Sequence, residues 1–329
     1  MNVNPVKPTS SISYIMPVLN EEAHLRSAVA SIFEQHGLVT GKAEVILALG
    51  PSKDKTNEIA EALSKEYPVQ LVSNPTGKTP AGLNLAIGKA KNDVVIRVDA
   101  HSVLSPDYSI NAVKILSETG AGNVGGIMKA EGVTPFQKAV AWAYGSRFGL
   151  GGGTYHVGGE AGPSDSVYLG VFRRDVLLKL GGFDEKMIRG QDWELNLRIR
   201  ESGEQVWFDP SLVVTYFPRS TWRKLLKQFF DTGAWRALLT KSHPNKANLR
   251  YFAPPALVLA SFIGLMLAIS GFGGLIGLLP VVTYLVAVTL ISLTAKGLSL
   301  KAKLALLVTL PTMHFSWGTG FIAGLFLKR

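Results

Sequence analysis

The apolar run VVIRV, residues 94–98, leads directly into Asp99, and His101 stands two positions further on. A carboxylate and an imidazole at that spacing can share one divalent cation, with the imidazole shifting preference from Mg2+ toward Mn2+ or another transition metal. An Asp after an apolar run is also an ordinary cap or turn former. A second acidic pair, Asp192 and Glu194, lies in GQDWELNLRI. Apolar and polar residues alternate there. The stretch therefore reads equally as a strand with both carboxylates on one face or as a helix on which they diverge, with Asp192 as a cap after Gly190. The chain has no cysteine, which removes disulfides, thiolate zinc sites and cysteine nucleophiles together.

The elements that must position these groups follow from periodicity. Ile12 to Val18 is a short apolar strand containing Pro17. Asn20 is expected to cap a helix carrying Glu21 and Glu22 in its first turn and Leu25, Val29, Ile32 and Phe33 on its apolar face. Strands at Val45 to Leu49, Val69 to Val72 and Val94 to Val98 alternate with helices at Thr56 to Tyr67 and Thr79 to Ala90. Repeated strand-helix units predict an α/β fold with a parallel sheet and right-handed crossovers. Ligands bind such sheets at the carboxyl ends of the strands, where Pro17 to Glu21, Gly50 to Thr56, Asn74 to Lys78 and Asp99 to His101 fall.

In order and spacing, SYIMPVLNEEAHLRSAVASI, GPSKDKT, NPTGKTPAGLNLAI, VIRVDAHS and GGFDEKMIRGQDWELNLRIRESG resemble the family 2 glycosyltransferases of GT-A fold. The membrane-attached bacterial enzymes of exopolysaccharide synthesis, the succinoglycan-type glucosyltransferases among them, look closest. The resemblance covers about residues 11 to 240. It implies a nucleotide-binding, mostly parallel sheet and a nucleotide-diphosphate-sugar donor, a UDP-sugar first, with inversion at the sugar carbon. It further implies that Pro17, Asn20 and Glu21 border the base, that Asp54 is the second acid of a DGSxDxT-type loop holding base and ribose, and that Lys78 and Asn84 face the nucleotide. The first acid of that loop is missing here, replaced by Leu49-Gly50. Asp99 and His101 stand where the family carries DxD, in a DxH form, and imply Mn2+ or Mg2+ as cofactor. Asp192 matches the family's general base, with Glu194 as the substitute. A base there would take the acceptor hydroxyl proton as the C–O bond forms.

Two weaker motifs point away from other classes. GLGGGTYHVGG, residues 149–159, does not satisfy GxGxxG and reads as a mobile loop or plain connection rather than a dinucleotide site. Gln228 and Trp235-Arg236 depart in order and spacing from the QxxRW of processive synthases.

The charge balance places the enzyme. The sequence of 329 residues carries +10, yet nine basic residues and no acid follow Asp231, leaving the first 231 residues nearly neutral. A basic excess beside apolar runs is a membrane flank, not a nucleic-acid stripe, so no nucleic-acid partner is expected. Runs at 252–270, 272–295 and 304–327 each have the length of a membrane span. With Lys241, Lys246 and Arg250 before the first run and Lys296, Lys301 and Lys303 between the second and third, the positive-inside rule puts the catalytic domain in the cytoplasm. Three crossings would leave Lys328 and Arg329 outside, in mild conflict with that rule, unless the last run, with Pro311 and His314 inside it, stops short. The N-terminus MNVNPVKPTSS has no apolar stretch behind its lysine and does not read as a cleaved leader.

The stretch 221–240 has Trp222, Leu225, Leu226, Phe229, Phe230, Leu238 and Leu239 at helical spacing. It reads as an interfacial helix or as an ordinary core-covering helix, with a kink or break at Gly233. The expected organisation is a glycosyltransferase domain at 1–240 and a multi-pass membrane domain at 241–329 in the cell (inner) membrane. The expected reaction moves a hexose to a lipid-linked saccharide at the lipid surface. Polyprenyl phosphate as acceptor, or a catalytically silent sugar-nucleotide-binding protein, are the alternatives. Transport would need ionisable groups within the spans, of which His314 is the sole example.

Overall fold

The computed structural model describes residues 11–37, 43–150, 153–246, 248–271 and 274–327. In chain order the elements are β1 (Ile12–Val18), α1 (Leu25–Phe33), β2 (Ala43–Leu49), α2 (Thr56–Glu66), β3 (Val69–Ser73), α3 (Thr79–Lys89), β4 (Val94–Arg97), β5 (Ser102–Leu104), α4 (Tyr108–Thr119) and β6 (Asn123–Ala130). There follow α5 (Pro135–Tyr144), α6 (Thr154–Val157), β7 (Gly162–Pro163), β8 (Tyr168–Arg173), α7 (Arg174–Lys179), α8 (Gln191–Glu201) and β9 (Val206–Tyr216). The last helices are α9 (Trp222–Ser242), α10 (Ala253–Ile269), α11 (Leu279–Thr294) and α12 (Leu300–Phe326).

The chain folds as two compact units. One comprises Met1–Lys129 and Gly153–Tyr216, the other Ala130–Gly152 and Phe217–Arg329. Helix α9, on the catalytic side of a boundary near residue 240, falls in the second of these units, where its apolar face packs.

In the first unit a nine-stranded sheet runs β3-β2-β1-β4-β8-β6-β9-β5, with β7 beside β9. The first four strands are parallel, as the strand-helix repeat predicts. From β8 onward the pairing is antiparallel, making the whole sheet mixed. Alternate residues of each strand enter opposite cores. Tyr14, Met16, Val45, Leu47, Val94 and Ile96 meet α1, α2 and α4, whereas Ile15, Ile46, Ala48 and Val95 meet α3, α7 and α8. The same alternation carries Arg97 onto the Val95 side, the side α8 covers.

The expected helix at Asn20 begins later. Asn20 adopts a φ of 56°, outside the helical region, and α1 starts at Leu25 after a turn in which His24 and Leu25 donate their N–H groups to the Glu21 carbonyl. Pro17 is tolerated inside β1 because β4 stops pairing at Arg97, opposite Ile15, and no ladder bond is lost on that side.

In the second unit α12 is the central helix, packed by α5, α9, α10 and α11. Helix α9 runs through Gly233 without the expected break. The glycine is there for close approach. A Cβ at Gly233 would strike the Trp317 carbonyl, and Cβ atoms at Gly320 and Gly324 would strike the carbonyls of Phe230 and Ala234. Small residues four apart on α12 thus let two backbones touch. Trp222 Nε1 donates to Thr312 Oγ1 at 2.7 Å, while Arg223, Lys224 and Lys227 stay exposed.

Two segments, Leu249–Ile269 and Gly274–Thr294, each of 21 residues, are long and apolar enough to cross a membrane. Each reaches about 31 Å at 1.5 Å per residue. Their large apolar side chains, such as Phe262, Ile269, Ile276 and Leu290, are exposed. The count of three is corrected to two among the described residues. Helix α12 is continuous through Pro311, but Thr309, Thr312, Ser316 and the glycines make it polar and small-sided, and its second half is wrapped by neighbours. It is built as a packing core. Lys328 and Arg329 lie outside the described residues.

Candidate active site

The site is assembled at the carboxyl ends of β1, β2 and β4 and the start of α8, all within the first unit. Its centre is Arg97, whose side chain is 4% exposed. Arg97 Nε and Nη2 donate to Asp99 Oδ1 at 3.2 and 2.9 Å, and Nη1 donates to Asp192 Oδ1. One planar guanidinium thus grips two carboxylates that lie 93 positions apart in sequence. Burial would disfavour its charge, but Asp192 and Asp99 together hold it firmly protonated. Burial also works against ionisation of Asp99, yet Arg97 beside it, with His101 and Arg189 contributing, keeps that carboxyl below the usual carboxylate range. At Asp192 burial wins and pushes the carboxyl up against the pull of Arg97, with Asp99 adding repulsion. Arg97 escaped the sequence reading. The available signal was a cation in the middle of an apolar strand, which can be buried only with a counter-ion.

The residues around 192 form a helix, so Asp192 and Glu194 diverge. Glu194 accepts from Arg198 at 2.6 and 2.7 Å, and Arg198 in turn donates to the carbonyls of Leu180 and Gly182. Glu194 is thereby a brace for the 180–182 turn. Asp192 keeps 35% of its side chain exposed and has one carboxylate oxygen not used by Arg97. Gly190, at φ 78°, makes the turn that starts α8.

His101 lies opposite the first loop. Its Nδ1 meets Glu21 Oε1 at 3.0 Å, which leaves Nε2 as the ring nitrogen available for a ligand. Tyr216 packs edge-on to His101 at 5.5 Å, and Tyr168 packs on Tyr216 at 6.4 Å. Burial, with Asp99 nearby, drives the Tyr168 phenol well above its ordinary range, so it stays a neutral donor. Leu169, next to it, is held at φ 59°, a conformation a branched residue adopts only where packing imposes it.

The 20s and 50s loops are laced together. Asn20 N–H donates to Ser52 Oγ at 3.0 Å, Lys53 N–H to Asn20 Oδ1 at 2.8 Å, Glu21 N–H to Thr56 Oγ1 at 2.7 Å and Lys55 N–H to Glu22 Oε2 at 3.1 Å. Asp54 accepts from the hydroxyl and N–H of Thr56 at 2.5 and 3.1 Å and from Glu22 N–H at 3.4 Å. The Thr56 hydroxyl, first among these donors, holds its carboxyl below the ordinary range. Asp54 therefore shapes the loop with the carboxylate that was expected to hold base and ribose.

The Asn84 amide pairs with the Phe183 backbone in both directions at 2.8 Å and reaches Glu185 at 3.1 Å, so it fixes the GGFDE turn. Lys78 is exposed at the start of α3. Pro17 lies inside β1 opposite Ala48. The structure thus joins Asp99 to Asp192 through Arg97 and pairs Glu21 with His101, and places Asn20, Asp54 and Asn84 in the loops around them.

Comparison with known proteins agrees with this geometry. The family model "Glycosyl transferase family 2" matches residues 13–181. Succinoglycan biosynthesis protein ExoA of Rhizobium meliloti is 32% identical over 272 residues, 82% of this chain and 81% of the relative. In Methanococcus voltae, dolichyl N-acetyl-alpha-D-glucosaminyl phosphate 3-beta-D-2,3-diacetamido-2,3-dideoxy-beta-D-glucuronosyltransferase is 26% identical, over 70% of this chain and 74% of the relative. Among solved structures, the mannosyltransferase PcManGT of Pyrobaculum calidifontis, in complex with GDP-Man and Mn2+, superposes with a TM-score of 0.60 at 20% identity. It covers 99% of this chain and 90% of that one, and shows the GT-A-like fold. The chain is a glycosyltransferase of glycan biosynthesis and belongs to glycosyl transferase family 2.

Proposed function

We propose that the chain is a membrane-held, metal-dependent, inverting enzyme that moves a hexose from a nucleotide-diphosphate sugar, a UDP-sugar first, to a lipid-linked saccharide. The observation that carries the reading is the sharing of Arg97 between Asp99 and Asp192. Asp99 has an ionised carboxylate with one oxygen to spare and His101 has Nε2 to spare, and these two groups would hold a divalent cation, there being no group of three such side chains among the described residues. Two protein ligands leave the remaining positions to the diphosphate oxygens, as is usual for cations that bind with phosphates. When bound there, Mn2+ or Mg2+ would neutralise charge developing on the departing nucleoside diphosphate. Asp192 would accept the proton of the acceptor hydroxyl while that oxygen bonds to the anomeric carbon and the bond from that carbon to the diphosphate breaks on the opposite side. Its exposed third is the surface from which it would do so.

The Mn2+ and GDP-Man bound by the mannosyltransferase neighbour and the dolichyl phosphate in the archaeal relative's name support a metal, a nucleotide sugar and a lipid acceptor. Two exposed apolar helices, the basic excess after Asp231 and the exposed lysines of α9 support attachment to the cytoplasmic face of the cell membrane. Lys78 would meet the donor phosphates, and Pro17, Asn20, Glu21 and the Asp54 loop would wall the base.

The test is a donor screen with the full chain in detergent. UDP- and GDP-sugars are incubated with Mn2+, Mg2+ or EDTA, and nucleoside diphosphate release is measured with and without a lipid-linked saccharide. Cation-dependent release stimulated by the acceptor is expected, and Asp192→Asn should abolish transfer while nucleotide binding persists. Full transfer by Asp192→Asn refutes the base assignment. A product that yields free monosaccharide in mild acid shows polyprenyl phosphate to be the acceptor instead.

A further inference from the structure

We infer that Arg97 is a positioning residue that sets the donor-side carboxylate Asp99 and the acceptor-side carboxylate Asp192 against each other through one rigid guanidinium. The inference rests on the proposed roles of those two acids and adds a third residue to them. Arg97 is buried on the α8 side of β4, with its guanidinium 6.0 Å from the Phe183 ring, and has no surface from which to touch a substrate. Its side of the strand is dictated by β4 alternation. The Phe183 backbone is pinned by Asn84, so the guanidinium rests against a fixed floor. Each carboxylate gives Arg97 its Oδ1, leaving the other oxygen free for cation or acceptor. The fork therefore selects which oxygen of each acid does chemistry, and at what separation. A buried charge is costly to keep for stability alone, and a guanidinium that satisfies two acids is retained best where geometry is needed.

A lysine preserves the charge but has no fork, so it can hold one carboxylate well and not both. Arg97→Lys and the neutral Arg97→Met are therefore compared with the parent and with Asp192→Asn, using full-length protein in detergent. Turnover and the Mn2+ activation constant are both measured, and melting temperature and nucleotide binding report the folded fraction. Misplacing a reacting group by about 1 Å costs roughly 10²-fold in rate. Arg97→Lys should lose turnover on that order and also need more Mn2+, because neither acid keeps the place that the shared fork gave it. In the Arg97→Lys, Asp192→Asn double variant transfer is already lost and the donor side alone is read: the Mn2+ requirement for nucleoside diphosphate release should still rise, because Asp99 also loses its partner.

Turnover and Mn2+ activation unchanged in folded Arg97→Lys would overturn the inference. So would an unchanged Mn2+ requirement in the double variant. A defect confined to melting temperature overturns it as well. Parent-like transfer by Asp192→Asn would instead sink the underlying base assignment, so the two failures are told apart. If Arg97→Met does not fold, Arg97→Lys alone decides the question.

Discussion

The pair Glu21 and His101 yields the sharpest prediction for the metal. Glu21 Oε1 sits 3.0 Å from His101 Nδ1, and a carboxylate there fixes the proton on Nδ1 and turns Nε2 outward as the lone-pair nitrogen. Partners that orient a metal-binding histidine in this way are worth about 10- to 100-fold in metal affinity, or about 1.4–2.7 kcal/mol. Glu21→Gln retains an oxygen that can accept from Nδ1 but loses the charge, so it should sit near the lower bound. Glu21→Ala removes the hold and should sit near the upper. Neither change should release the loop, because what anchors residue 21 is its backbone. Its N–H donates to Thr56 Oγ1 at 2.7 Å, and its carbonyl receives His24 and Leu25. The assay is a Mn2+ titration of donor turnover. The activation constant should rise about 10-fold for Gln and about 100-fold for Ala, with most of the turnover recovered at saturating Mn2+. An unchanged activation constant in Glu21→Ala, or a loss that excess Mn2+ does not restore, would refute the reasoning.

Three further outcomes follow from the structure. Glu194→Gln should lower the melting temperature by weakening the brace from Arg198 to the Leu180 and Gly182 carbonyls, while the folded enzyme turns over at the parent rate; a large drop in turnover at unchanged stability would make Glu194 the base. On the acid side, Asp54, Asp99 and Asp175 are held below their ordinary range, so their contributions are present above about pH 4 and fade as pH falls through their lowered folded values. Asp192, raised by burial, contributes with the opposite sign, its part being lost as pH rises through its folded value. With the opposing group removed in Asp192→Asn, melting temperature should climb between about pH 3 and 5; a flat profile there contradicts this. Gly320→Val would drive a side chain into the Phe230 carbonyl between α9 and α12 and should cost on the order of 1–3 kcal/mol, read as a lower melting temperature in detergent, whereas Thr319→Val on the exposed side should be near neutral.

Much of the first unit was legible because it depends on local pattern. The alternation of strands and helices up to Arg97, the parallel pairing and the strand-end location of Asp99 and His101 all follow from period and order. Asp192 was picked out by its place in GQDWE, but the pattern admitted strand and helix alike. The helix was decided by Gly190 at φ 78° and by the packing of Leu195 and Ile199 into the sheet. The hydrogen bonds that Asn84 makes to Phe183, 99 positions away, and Asp54 to Glu22, 32 positions away, could not be read along the chain.

The sequence by itself determined the family, the parallel half of the sheet, the acidic and imidazole groups at the strand ends, and the segregation of charge from apolar runs. Each rests on residue type and spacing alone. Only the tertiary structure decided that Arg97 is the link between Asp99 and Asp192, that Glu21 belongs to His101, and that Gly233 marks a close helix contact. It likewise decided that α12 is a packing helix while two other segments present span-length apolar surfaces. The physical reason is the same in every case: a buried charge, a hydrogen-bond acceptor or a missing Cβ takes its meaning from the atom opposite it, and that atom comes from a distant part of the chain.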